Sequence, residues 1–228
     1  MNHIRAVLFD AGGTLIHLDG ERASHAARIA YDAAAFRRAH DAALYEVRRW
    51  VLANPQSKDA ERLPLFLGTI LARLGVADSE RRRAVAAIAA EHGRANLWSR
   101  AAEDAPETLA ALRARGYRLA VVSNADGRVR ALLETAGLAE YFEFIVDSSE
   151  VGVEKPDPRI FHAATGRLDL PPAACAYVGD IYEIDVLGAR AAGLEAILIG
   201  GGEAPEDVPR VTGLTELLDL LRGYYSPS

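Results

Sequence analysis

The sequence predicts an α/β protein: a parallel sheet of five or more strands with helices on both faces, and an all-helical insertion after the first strand. Three observations predict it. Short β-rich apolar runs recur at 4–9, 117–122, 142–146, 174–178 and 194–199. Segments with helical periodicity lie between the later runs, at about 106–115, 126–137, 158–168, 183–193 and 213–222. Strands alternating with helices in this way require a parallel sheet covered on both sides. The stretch 21–98 breaks the alternation and contains no convincing strand.

The first run, Ile4-Arg5-Ala6-Val7-Leu8-Phe9, begins almost at the initiator Met, so no charged-then-apolar signal segment is expected. No apolar run approaches membrane-spanning length. A cytoplasmic protein without a membrane partner is the expectation.

The insertion reads as three helical stripes. Ile29, Ala33, Phe36, His40, Leu44, Val47 and Val51 recur at spacings of three and four; Leu63, Phe66, Ile70 and Leu74 make a second stripe, and Val85, Ile88 and His92 a third. Placed after the first strand, such a bundle reads as a cap, with hinges at 16–20 and 99–105. The expected division is a core of 1–16 and 99–228 and a cap of 17–98. Arg81-Arg82-Arg83 reads as a solvated helix face. In the core, Asp104-Ala105-Pro106 and Lys155-Pro156-Asp157-Pro158 carry helix-start signals.

Half of the 228 residues are hydrophobic, enough for one large core and a smaller appended domain, and the net charge is −6. No basic stripe is present, so nucleic acid is not an expected partner. The single cysteine, Cys175, lies in an apolar run and reads as a buried structural thiol. Of the 26 basic residues all but two are arginine, the lysines being Lys58 and Lys155. A chain that writes its positive charge this way has a specific use for a lysine.

In open parallel sheets ligands sit beyond the carboxyl ends of the strands. Strand one ends in Asp10-Ala11-Gly12-Gly13-Thr14 and strand two in Ser123-Asn124; the loop after strand three contains Lys155-Pro156, and strand four ends in Gly179-Asp180, with Asp185 five residues on. Each end presents a polar group able to hold a phosphate or a metal, Thr14 and Asn124 among them. Asp10 and Asp180 are expected to share Mg²⁺, which prefers hard oxygen ligands. Asp185 would orient metal-bound waters or bind the metal itself. Asp10 is the expected nucleophile toward phosphorus. Ser123, with backbone N–H groups near a helix start at about 126, is expected to bind phosphate oxygens. Lys155 supplies a compact positive charge to the substrate and to Asp10. Singly, these residues are ordinary helix caps, loop formers and turns; four ordered strand ends together point to phosphoryl chemistry on a small molecule.

With these motifs in place the sequence resembles the haloacid dehalogenase-like hydrolase superfamily. Phe9-Asp10-Ala11-Gly12-Gly13-Thr14-Leu15 is similar to its first motif, Val122-Ser123-Asn124 to the second, Lys155-Pro156-Asp157 to the third, and Gly179-Asp180 with Asp185 to the fourth. The insertion resembles the family's C1 cap type. The resemblance implies a Rossmann-like core, Asp10 as nucleophile, Mg²⁺ on Asp10, Asp180 and the carbonyl of Gly12, and a cap that closes over a small phosphorylated substrate. A monomer or homodimer is expected.

One position departs from the pattern. Phosphatases of this family normally carry a second aspartate two residues after the nucleophile, as proton donor and then base; here that residue is Gly12. His17 and Asp19, just downstream, are the nearest candidate replacements. Three readings therefore stand at this point. One is a phosphohydrolase with a compensating acid, or with acyl or aryl phosphates as substrates. Another is carbon–halogen or phosphorus–carbon cleavage, the latter with Lys58 as a Schiff-base lysine. The third is a phosphate-binding regulatory protein with little turnover. In the insertion, His40, Trp50, His92 and Trp98 are read as packing residues rather than substrate contacts.

Overall fold

Ala6–Phe9 (β1) is apolar and buried throughout, as a strand in the middle of a doubly covered sheet must be. In the computed structural model, which describes residues 3–55, 57–201 and 204–223, the chain divides into two compact units, Met1–His17 with Ala101–Ser228, and Leu18–Arg100.

After β1 the chain forms a short strand, Ile16–Leu18 (β2), and then four helices, Gly20–Ala27 (α1), Ala33–Ala53 (α2), Asp59–Arg73 (α3) and Asp78–Arg94 (α4). Asp19 caps α1 by accepting from the Arg22 N–H at 3.1 Å, and Asp32 caps α2 through the Ala35 N–H at 2.6 Å. α2 buries Phe36, Ala39, Ala43, Val47 and Val51, and α3 buries Phe66, Leu67, Ile70 and Leu71 against it. α4 adds Ala84 and Ile88. The expected stripe is corrected at its start. Arg28 turns left-handed at φ 58° and ends α1, so Ile29 lies outside both helices and Ala33 is exposed. Ala39 and Ala43, small enough to let two helices approach closely, take the central positions assigned to His40 and Leu44. Of the arginine run, Arg82 and Arg83 are exposed while Arg81 turns back to the Val76 carbonyl.

Trp98–Ala101 (β3) pairs with β2 in a two-stranded sheet at the two expected hinge segments. The remaining elements build the parallel sheet: Ala105–Ala114 (α5), Arg118–Ser123 (β4), Val129–Thr135 (α6), Phe144–Asp147 (β5), Ser148–Val151 (α7), Pro158–Leu168 (α8), Cys175–Gly179 (β6), Leu187–Ala191 (α9), Glu195–Ile199 (β7), Arg210–Val211 (β8) and Leu217–Leu220 (α10). Among the described residues the sheet has six strands in the order β5-β4-β1-β6-β7-β8, one more than the apolar runs mark. The expected helix 183–193 is split: Tyr182–Val186 is a π-helical turn and only the rest is α9. Leu8, Val122, Phe161 and Tyr177 lie in the core beneath the strand ends. Among the described residues no helix is long and apolar enough to cross a membrane.

Candidate active site

The strand order brings the carboxyl ends of β4, β1 and β6 side by side. β1 pairs in parallel with β4 (Phe9 with Val121) and with β6 (Phe9 with Val178). Asp10 is the next residue, and its N–H donates to the Val178 carbonyl at 2.8 Å. Ser123 closes β4 and is buried. Beyond it, Asn124 clamps the backbone of Lys155 from both sides: the Lys155 N–H donates to its Oδ1 at 2.7 Å, and its Nδ2 donates to the Lys155 carbonyl at 3.1 Å.

The clamp delivers the Lys155 ammonium, 3% exposed, into the carboxylates. Its Nζ donates to Asp10 Oδ1 at 2.7 Å, to Asp185 Oδ1 at 2.7 Å and to the Tyr177 hydroxyl at 2.8 Å. An ammonium has three protons, and all three are used. The Tyr177 hydroxyl donates in turn to the Val122 carbonyl at 2.9 Å, and its ring packs edge-on against Phe161 at 4.9 Å.

Asp10, Asp180 and Asp185 offer carboxylate oxygens that all lie within 4.8 Å of one another. Two glycines make this crowding feasible. Gly13 has φ +86°, and a Cβ there would stand 2.2 Å from Asp180 Oδ2; a Cβ on Gly179 would stand 2.4 Å from Asp185 Cγ. The π turn, closed by the Leu187 N–H on the Tyr182 carbonyl, holds Asp185, whose Oδ2 also accepts from the Ile181 N–H at 2.9 Å. Three hard oxygen donors in one cluster suit a small divalent cation, and these carboxylates would hold it.

The ionisation equilibria reflect the same crowding. Burial raises the Asp10 carboxyl to about 6, with Lys155 pulling it down and Asp185 pushing it up. Asp180 is raised well above the ordinary carboxylate range by desolvation and then by Asp185 and Asp10. Burial alone would lower Lys155, but the Asp10 and Asp185 carboxylates together overcome it and raise the ammonium above its usual value.

Of the residues expected from sequence, Asp10, Lys155, Asp180 and Asp185 converge in this one cluster. Thr14 is buried, and its Oγ1 has no hydrogen-bond partner among the described residues. Gly12 bridges to Ile16. The backbone donors expected near residue 126 are in part already taken. Ala125 N–H goes to Ser148 Oγ at 3.1 Å and Gly127 N–H to Asp147 Oδ2 at 2.9 Å, and the helix starts only at Val129. Asp19 is engaged as the α1 cap and lies 3.7 Å from Arg100, while His17 is exposed. Lys58 is exposed too.

His40, Phe66, Trp98 and His92 form a contiguous ring cluster in the helical unit, but Trp50 is 41% exposed rather than packed. Cys175 is fully buried, and burial pushes its thiol up to about 11. Sequence reasoning missed Tyr177. The available signal was strand alternation, which puts it on the same face of β6 as Gly179.

A family model described as haloacid dehalogenase-like hydrolase matches residues 4–193. Haloacid dehalogenase-like hydrolase domain-containing protein 3 of Bos taurus is 42% identical over 132 residues, covering 53% of this chain and 53% of that protein. The chain thus spans about half the length of the first curated relatives it matches. The glyceraldehyde 3-phosphate phosphatase of Methanopyrus kandleri is 32% identical over 96% of this chain and 97% of its own. A solved dehalogenase with intermediate complex shares the fold, with a TM-score of 0.69 over 96% of this chain and 98% of that chain at 23% identity. Since both the family match and the Methanopyrus alignment extend through the strand ends that carry Asp10, Lys155 and Asp180, the chain belongs to the haloacid dehalogenase-like hydrolases.

Proposed function

We propose that this hydrolase is a Mg²⁺-dependent phosphatase acting on a small phosphorylated metabolite through an aspartyl-phosphate on Asp10. The observation that carries the reading is the Asp10 carboxylate oxygen, 2.7 Å from a buried ammonium and within one cluster with Asp180 and Asp185. An anionic nucleophile attacking an anionic phosphate needs positive charge on both, and this arrangement supplies it. The phosphatase relative aligned over nearly the whole chain supports the same reading.

An Asp10 oxygen attacks phosphorus while the bond to the leaving oxygen breaks, the electron pair departing with that oxygen. Water then attacks phosphorus, the aspartyl P–O bond breaks, and the proton from water leaves with phosphate or solvent. Lys155 keeps Asp10 ionised and aimed. The Ser123 and Thr14 hydroxyls bind phosphate oxygens, and Asn124 contributes by fixing the Lys155 backbone. Held by Asp10, Asp180, Asp185 and the Gly12 carbonyl, Mg²⁺ would offset the charge of the phosphate in the transition state. The same reading makes the protein a cytoplasmic monomer or homodimer that binds neither nucleic acid nor membrane.

A screen of phosphorylated metabolites with and without Mg²⁺, on the natural protein and Asp10→Asn, tests it. Mg²⁺-dependent phosphate release that Asp10→Asn abolishes is the expected result. Unchanged turnover in Asp10→Asn removes the nucleophile, and fluoride release from fluoroacetate without metal would instead assign dehalogenation.

A further inference from the structure

Resting on the phosphatase reading above, we propose that the site prefers phosphoryl donors whose leaving group departs without a proton. Acyl phosphates, the mixed anhydrides of a carboxylic acid and phosphate, come first, and phosphate esters of acidic phenols follow; esters of aliphatic alcohols are poor substrates.

The protons at the strand ends are already committed. Residue 12, two beyond the nucleophile, is glycine and brings no side chain. Lys155 already spends its three N–H groups on Asp10, Asp185 and Tyr177. The Tyr177 hydroxyl is fully buried and donates to the Val122 carbonyl. Asp185 accepts from Lys155 on one oxygen and from the Ile181 N–H on the other, so both of its oxygens are engaged. Asn124 is an amide engaged with Lys155. The Ser123 and Thr14 hydroxyls are alcohols, no more acidic than an alkyl leaving group. With Asp180 committed, beside Asp10 and Asp185, to the carboxylates that would hold the cation, none of the side chains that meet in this cluster is free to hand a proton to the leaving oxygen.

Phosphoryl transfer passes through a loose transition state in which charge builds on that oxygen. An alkoxide cannot carry the charge without a proton; a carboxylate can. With an acyl phosphate the Asp10 O–P bond forms and the P–O bond to the acyl oxygen breaks. The electron pair stays on the acyl oxygen, which leaves as a carboxylate. Water then attacks phosphorus, releasing inorganic phosphate and the free Asp10 carboxylate, and its surplus proton goes to phosphate or solvent. The products are one carboxylate and one phosphate, and no side-chain acid has been needed.

The test is kcat/KM, which reports the first transfer, for acetyl phosphate, a series of aryl phosphates of graded phenol acidity and an alkyl phosphate, all with Mg²⁺. The natural protein and Gly12→Asp are compared. Gly12 is not among the glycines with positive φ, so its backbone accepts an aspartate. In the natural protein the rate is expected to climb steeply with leaving-group acidity. Gly12→Asp is expected to flatten the series by raising the alkyl phosphate toward the ~10²–10⁴-fold that general acid catalysis contributes. A shallow series in the natural protein overturns the proposal, because it means a donor reaches the leaving oxygen from elsewhere, and leaves the phosphatase reading standing. Absence of turnover with every phosphate compound overturns both. Should Gly12→Asp fail to fold, the series on the natural protein decides alone.

Discussion

The Tyr177 hydroxyl lies 2.8 Å from Lys155 Nζ, at the bottom of the site and out of reach of solvent. It is a positioning group: it takes the third ammonium proton, so that the other two point at Asp10 and Asp185. Tyr177→Phe keeps the ring that packs on Phe161 and removes only the oxygen. A buried ammonium proton and the Val122 carbonyl each lose a partner, which costs about 1–3 kcal/mol of stability. We expect kcat to fall about tenfold, which is about 1.4 kcal/mol of barrier, with KM little changed. Steady-state kinetics beside a urea melt check it; a variant that is destabilised yet fully active would make the hydroxyl purely structural.

Lys155→Met removes the one cation that, among the described residues, is hydrogen-bonded to two carboxylates whose side chains are 9% and 2% exposed. Leaving buried charges uncompensated costs about 3–5 kcal/mol, and hydrolysis should disappear. Adding Asp185→Asn removes one of the stranded charges. The double variant should therefore be more stable than Lys155→Met alone, while remaining inactive. Equal urea midpoints for the single and double variants would mean that the two groups are not coupled.

Much of the core and its site was legible because the signals were local. Apolar runs marked the strands, and Asp10, Lys155 and Asp180 sat at strand ends where a parallel sheet gathers its chemistry. What escaped depended on partners distant in sequence. Tyr177 looked like one more apolar residue of a buried run, since alternation reports burial and says nothing about a hydroxyl meeting a lysine 22 positions away. Asn124 was read as a group that holds substrate, whereas its amide clamps a backbone 31 residues on. The π turn around Asp185 was hidden inside a helical periodicity, because one widened turn barely disturbs the pattern. In the helical unit the stripe was misplaced at its start, where left-handed Arg28 ends α1 early.

Gly13 and Gly137 separate two reasons for a glycine. Both have positive φ, +86° and +69°, but a Cβ on Gly13 would collide with Asp180 at 2.2 Å whereas one on Gly137 meets nothing within 4 Å. Gly137→Ala carries backbone strain alone, about 1–2 kcal/mol. Gly13→Ala carries that strain and also pushes Asp180 out of the acidic cluster. Calorimetric titration with Mg²⁺ should show near-natural affinity for Gly137→Ala and affinity at least tenfold weaker for Gly13→Ala. Equal affinities in the two variants would remove Asp180 from the metal site.

The acidic cluster is expected to set a pH dependence and a metal dependence of stability, the sign of the first following from the raised carboxyls. Asp10 titrates near 3.8 when free and at about 6 in the folded protein. Between these values the folded state binds more protons than the unfolded one, so stability falls as pH rises through the window and the loss is complete above about 6. Roughly two pH units correspond to about 3 kcal/mol at neutral pH. Asp180, raised well above the ordinary range by burial and by the same neighbours, adds to the penalty in the same direction. Near pH 7.5 with chelator present, Asp180→Asn should therefore melt several degrees above the natural protein, at roughly 2–4 °C per kcal/mol for a chain of this size. Millimolar Mg²⁺ should reverse the order, because a cation that binds only the folded state stabilises it by mass action and the variant has lost a ligand. Scanning calorimetry of both proteins with chelator and with Mg²⁺ decides the matter: a natural protein whose melting temperature ignores Mg²⁺ would mean that the three carboxylates are not a metal site.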